Sequence, residues 1–70
     1  MATNIRAIRK SKGMTQGDLA LAAGINRVTI AKYETGKITP TLTNAGKIAT
    51  ALGVTVNDLI AEAADEASND

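Results

Sequence analysis

The chain has 70 residues, 44% of them hydrophobic, and a formal net charge of +1, which suits one small globular domain with a thin stability margin rather than a disordered segment. It contains no cysteine and no histidine, and Tyr33 is its one aromatic residue. Disulfides, thiolate or imidazole metal sites, acid–base catalysis by histidine and base-stacking platforms for single-stranded nucleic acid are therefore excluded.

Short helical patterns follow one another, separated by glycine or proline. The first covers about Asn4 to Lys12 and puts Ile5 and Ile8 on one face, with Arg6, Arg9 and Lys10 around it. Gly13 ends it in the manner of a residue just past a helix C-terminus. Thr15-Gln16-Gly17-Asp18 reads as a capping box, in which the threonine hydroxyl and the aspartate carboxylate each accept an orphan N–H. The second helix shows Leu19, Ala20 and Ala23 on its apolar face and stops at Gly24. Asn26 is an N-cap for the third helix, Arg27 to Glu34, where Ile30 and Tyr33 stand three apart as a buried stripe.

Gly36 closes that helix, and Lys37 to Pro40 form a connecting loop. Thr41 caps a fourth helix, Leu42 to Leu52, expected to bury Leu42, Ala45, Ile48, Ala49 and Leu52. Gly46 inside it costs on the order of 1 kcal/mol relative to alanine. Gly53 is the next stop. Thr55-Val56-Asn57-Asp58 is a second box, opening a fifth helix with Val56, Leu59 and Ile60. The expected division is a domain over residues 1–61 and an acidic tail over 62–70 that frays. No apolar run approaches the roughly 20 residues that span a bilayer, and no secretory signal pattern is present, so a cytoplasmic protein with no membrane partner is expected.

The second and third helices carry the decisive pattern. A helix-turn-helix unit needs a small residue where the helices cross, a turn residue tolerant of positive φ, and apolar groups sealing the angle. Ala20, Gly24 and the set Leu19, Ala23, Ile25, Ile30 and Tyr33 occupy those slots. Charge adds to this. All eight basic residues lie within the first 47 positions, against Asp18 and Glu34 alone, whereas Asp58, Glu62, Asp65, Glu66 and Asp70 follow with no base among them. Such asymmetry fits a domain that meets a polyanion on one side, and equally a solvated mixed surface.

Gln16-Gly17-Asp18-Leu19-Ala20, continuing through Gly24-Ile25-Asn26 to Ile30, Tyr33, Glu34 and Gly36, resembles the Cro/CI (XRE) family of helix-turn-helix regulators. Lys12-Gly13-Met14-Thr15-Gln16, Pro40-Thr41-Leu42, Lys47-Ile48-Ala49, Ala51-Leu52-Gly53-Val54 and Asp58-Leu59-Ile60 extend the likeness over about residues 4 to 61. Asn44-Ala45-Gly46 departs from it, being smaller than the family's pair there, which would loosen the fourth helix. The resemblance implies an all-α, five-helix, lambda-repressor-like domain that binds double-stranded DNA and regulates transcription, as a repressor in the first instance.

With the third helix in the major groove, Arg27, Val28 and Lys32 match family positions that contact bases; Arg27 suits guanine O6 and N7, and Val28 a thymine methyl. The plainer readings are an exposed arginine, partial core packing of Val28 and a solvated Lys32. Gln16 matches a phosphate-binding position and is also expected to steady the side chain at 27. Thr29, Lys37, Thr39 and Lys10 are further phosphate candidates, each equally explained as a polar surface residue. The resemblance pairs Arg9 with Glu34 as a structural ion pair between the first and third helices.

A module this small is expected to act as a homodimer on a palindromic operator, with half-sites about 34–36 Å apart. The fifth helix and tail, with Leu59, Ile60, Ala63 and Ala64, offer an apolar strip for that contact, although Leu59 reads first as core. The alternative is an antitoxin-type DNA-binding adaptor whose acidic tail engages a basic protein partner. An enzyme is not expected: no nucleophile has an evident base, and neither a phosphate-cradling glycine loop nor metal-ligand spacing is present. No cofactor is implied.

Overall fold

The computed structural model describes residues 3–60. Four helices, α1 (Ile5–Ser11), α2 (Gln16–Ala23), α3 (Arg27–Thr35) and α4 (Leu42–Leu52), are followed by α5, whose described part is 56–60. No strand occurs among the described residues. Among the described residues the architecture is all-α, with five helices and a helix-turn-helix at α2 and α3.

Local chemistry sets the helix ends. The Thr15 hydroxyl accepts from the Asp18 N–H at 3.0 Å while the Thr15 N–H donates to the Asp18 carboxylate at 2.9 Å. Thr55 and Asp58 repeat this box before α5. Asn26 Oδ1 accepts from the Val28 N–H at 2.7 Å, and Thr41 Oγ1 from the Asn44 N–H. Removing one such cap costs roughly 1 kcal/mol. At the other end, Gly24 adopts φ 68°, and the N–H of Ile25 reaches back to the Ala20 carbonyl at 3.0 Å. This closure spends two orphan carbonyls and turns the chain sharply into α3.

Each helix contributes one large aliphatic side chain to a shared centre. Ile5, Leu19, Ile30, Ile48 and Leu59 are all fully buried, each worth about 1.5–3 kcal/mol relative to exposure. Ala20, Ala23, Tyr33, Ala45, Ala49 and Leu52 complete the core, and Ile8, Met14, Ile25, Ala51, Val54 and Val56 pack around it. α2 lies against both α3 and α4, and Ala20 and Ala23 on it are buried. Small side chains permit that close double approach.

Two sequence expectations change. Leu42 is 80% exposed; at the first position of α4 it lies on a flank of the buried stripe. The opposite flank is anchored, because Asn44 Nδ2 donates to the Tyr33 hydroxyl at 2.8 Å. At the Asn44-Ala45-Gly46 departure a polar clasp thus ties α4 to α3. Asn4 also falls outside α1. Its N–H donates to the Leu59 carbonyl at 2.8 Å and its side-chain amide to the Asp58 carbonyl at 2.9 Å, joining the start of the described chain to α5.

Candidate nucleic-acid interface

The buried stripe of α3, Ile30 and Tyr33, decides which way its other side chains point. Arg27 and Lys32 are exposed, and Val28 is 59% exposed despite being apolar. These three stand on one helix whose N-terminus is sharply defined by Asn26. Thr29 is half-buried, and Lys37, Thr39 and Lys10 are exposed. Partial core packing of Val28 is thus not what the fold adopts. An exposed valine at the start of a helix has an unfavourable solvation that contact with another apolar group would relieve.

The stem of Arg27 runs beside the first turn of α2. A β-carbon placed at Gly17 would stand 3.9 Å from Arg27 Cδ and 3.7 Å from Thr15 Oγ1. The N-termini of α2 and α3 are consequently neighbours. Each presents N–H groups without intrahelical partners and a partial positive charge, a combination suited to anions.

Behind this surface lies a charged cluster. Arg9 Nε donates to Glu34 Oε2 at 2.7 Å and Arg9 Nη2 to Glu34 Oε1 at 3.1 Å. Arg9 Nη1 donates to the Met14 carbonyl at 2.7 Å. Gln16 Nε2 donates to Glu34 Oε1 at 3.1 Å. The side chains of Arg9 and Glu34 are only 8% and 1% exposed. Burial by itself raises the Glu34 carboxyl, but hydrogen bonds from Arg9 and Gln16, with the charges of Arg9 and Arg6, outweigh it and hold the group below its usual range. The hydrogen bond to Glu34 likewise makes Arg9 keep its proton more tightly, against the opposing effect of burial. Asp18 is held low by the Thr15 backbone N–H and then by the Thr15 hydroxyl.

Gln16 thus donates one side-chain N–H to Glu34, and among the described residues no hydrogen bond joins it to Arg27, the neighbour expected from sequence. Arg27 is flanked by Gly17 instead. The Gln16–Glu34 bond spans 18 positions and the Asn44–Tyr33 bond 11, distances at which no periodicity signals a partner. Of the apolar strip expected at a dimer contact, Leu59 is buried in the core, Ile60 is 36% exposed, and Ala63, Ala64 and the acidic tail lie outside the described residues. Among the described residues no cluster of three or more acidic, cysteine or histidine side chains is available to hold a metal ion. No helix among them is long and apolar enough to cross a membrane.

Known proteins are similar to this chain in sequence and in fold. A helix-turn-helix family model matches residues 5–59. An uncharacterized HTH-type transcriptional regulator from Archaeoglobus fulgidus is 44% identical over 59 residues, covering 84% of each chain. A second, from Methanothermobacter thermautotrophicus, is 47% identical over 53 residues, covering 76% of this chain and 77% of the relative. An immunity repressor protein of Bacillus phage phi105 is 36% identical over 58 residues, or 83% of this chain and 40% of the phage protein. Among solved structures, the restriction-modification controller protein C.AhdI from Aeromonas hydrophila superposes with a TM-score of 0.76 at 33% identity, over 79% of this chain and 83% of that one. A hypothetical transcription factor, NHTF from Neisseria, gives 0.74 at 34% identity, over 79% and 63%. Regulators, rather than enzymes, share both its sequence and its fold, and the chain belongs to the XRE-type helix-turn-helix family of DNA-binding transcriptional regulators.

Proposed function

We propose that this regulator reads double-stranded DNA by inserting α3 into the major groove, with Arg27, Val28 and Lys32 toward base edges. The observation that carries this reading is their shared exposure on a helix whose remaining face is sealed by Ile30 and Tyr33. Arg27 supplies paired N–H donors for guanine, Val28 a methyl contact to thymine, and Lys32 a mobile cation one turn on. Gln16, Thr29, Lys37, Thr39 and Lys10 contact phosphates and fix the register without specifying sequence. The DNA-binding unit spans residues 1–61.

In this reading the protein works in the cytoplasm as a repressor, occupying a palindromic operator as a homodimer. Likeness to the phage immunity repressor supports repression. Two copies supply the affinity that a module this small lacks alone. Selection of bound sites from random duplex DNA tests the whole reading: a recovered palindrome with half-sites about one helical turn apart, roughly 34–36 Å, is the expected result. Recovery of no enriched sequence would overturn it.

A further inference from the structure

We propose that Glu34 is a positioning residue for DNA binding, orienting the Gln16 carboxamide toward a phosphate while Arg9 cancels the charge that would otherwise repel it. The inference rests on the reading that Gln16 meets the DNA backbone. A carboxylate has acceptors only, so the Gln16 side chain must turn its nitrogen, not its oxygen, toward Glu34 Oε1 at 3.1 Å. One of its two N–H bonds is spent there. The other stays available at the first residue of α2, where the capping box takes the N–H groups of Asp18 and Thr15 and leaves those of Gln16 and Gly17 as orphans. Three donors thus stand on the first two residues of α2, and the side-chain donor is held by a buried carboxylate.

Glu34 is suited to this task because it is only 1% exposed and gripped from the far side by Arg9 at 2.7 and 3.1 Å. An unpaired carboxylate beside a phosphate would weaken binding; one that forms a two-point pair with a guanidinium presents almost no net charge. A free glutamine must lose rotamer freedom when it binds, whereas one already anchored through its nitrogen has lost most of it beforehand. The ion pair thereby links the packing of α1 and α3 to the donor surface of α2.

The test is a double-mutant cycle. Affinity for a short mixed-sequence duplex is measured by fluorescence anisotropy for wild type, Gln16→Ala, Glu34→Gln and the double variant, under conditions where circular dichroism shows each one folded. Phosphate contacts dominate on such DNA. Each single variant is expected to bind about tenfold more weakly, the size of one lost hydrogen bond to a charged group, and the double variant no more weakly than the worse single. Additive losses would overturn the proposal, since independent contributions multiply. Loss in Gln16→Ala with full affinity in Glu34→Gln would overturn it while leaving the phosphate reading intact. Full affinity in Gln16→Ala would instead remove the phosphate reading itself.

Should Glu34→Gln not fold, the wild-type protein still decides. Nuclear relaxation of the Gln16 side-chain amide, without DNA, is expected to show order close to that of the backbone. Free rotation of that amide would overturn the proposal.

Discussion

Arg9 of α1 and Glu34 of α3 meet through two parallel hydrogen bonds, at 2.7 and 3.1 Å, and the same guanidinium also reaches the Met14 carbonyl at 2.7 Å. One side chain thus ties the first helix, the turn after it and the third helix together. Breaking a buried pair by deleting one partner costs about 3–5 kcal/mol, because the other charge is left without compensation. Arg9→Ala is expected to cost more than Glu34→Ala: it strands a carboxylate that is 1% exposed and a backbone carbonyl as well. Replacing both at once, as Arg9→Met with Glu34→Leu, should cost less than the two single losses together. Urea unfolding of the three variants measures this. Simple additivity would mean that the charges do not compensate one another.

Acid should destabilise the protein through this pair. Glu34 is depressed below its ordinary 4.5 in the folded state, so the folded chain binds fewer protons than the unfolded one in that region. Its contribution is complete above about pH 4.5 and is lost as pH falls through the lower folded value. Asp18, depressed from 3.8, acts in the same direction further down. The urea midpoint of wild type is expected to drop in this window and the gap to Glu34→Gln to narrow. A gap that stays constant as pH falls from neutral to well below 4.5 would contradict the depression.

Two glycines should respond oppositely to alanine. Gly24 adopts φ 68°, and although nothing lies within 4 Å of a new β-carbon, the left-handed backbone costs an L-residue about 1–2 kcal/mol. Gly46 lies inside α4 with equally open space, so alanine there should stabilise by up to about 1 kcal/mol. Thermal unfolding of both variants checks the pair. A shift of the same sign in each would show that space, not backbone conformation, governs these positions.

The two leucines that bracket the second half of the chain should behave as differently as their burial. Leu59 is 1% exposed, and Leu59→Ala is expected to cost about 2–5 kcal/mol. Leu42 is 80% exposed, and its replacement by alanine should stay within about 0.5 kcal/mol. Comparable losses would place Leu42 in the core after all.

On DNA, Arg27→Ala is expected to relax preference at a single guanine, costing about 1–3 kcal/mol on the best site and little on others. Gln16→Ala should weaken all sequences by similar factors. Lys37→Ala should reduce the slope of log affinity against log salt by about 0.9 if that ammonium neutralises one phosphate. Binding to a panel of single-base operator variants at several salt concentrations separates the three. Uniform losses across the panel for Arg27→Ala would remove it from base reading.

Much of the fold was legible because its signals are local. Thr15 with Asp18, Thr55 with Asp58, Asn26 and Thr41 cap helices through atoms two or three residues away. The expected third and fourth helices lie within one residue of the observed ends. Leu42 was misjudged for a related reason: helical periodicity says which face a residue shares, but not whether a neighbour extends far enough to cover it. The outward set on α3 follows from the three-residue spacing of its buried pair, Ile30 and Tyr33. The partners of Gln16 and Asn44 were not legible, since both bonds join side chains from different helices.

By itself, the order of residues determined, to within a residue, where α1 to α4 begin and end and where α5 begins, which aliphatic from each is available for the core, and that α2 and α3 are joined by a tight glycine turn. Those outcomes follow from capping and backbone sterics acting over a few bonds. Only the packed chain decided that Glu34 holds Gln16 as well as Arg9, that Asn44 grips Tyr33, and that Asn4 reaches the carbonyls of α5. Such pairings depend on where whole helices come to rest against one another, and that position is set by the burial of Ile5, Leu19, Ile30, Ile48 and Leu59 together.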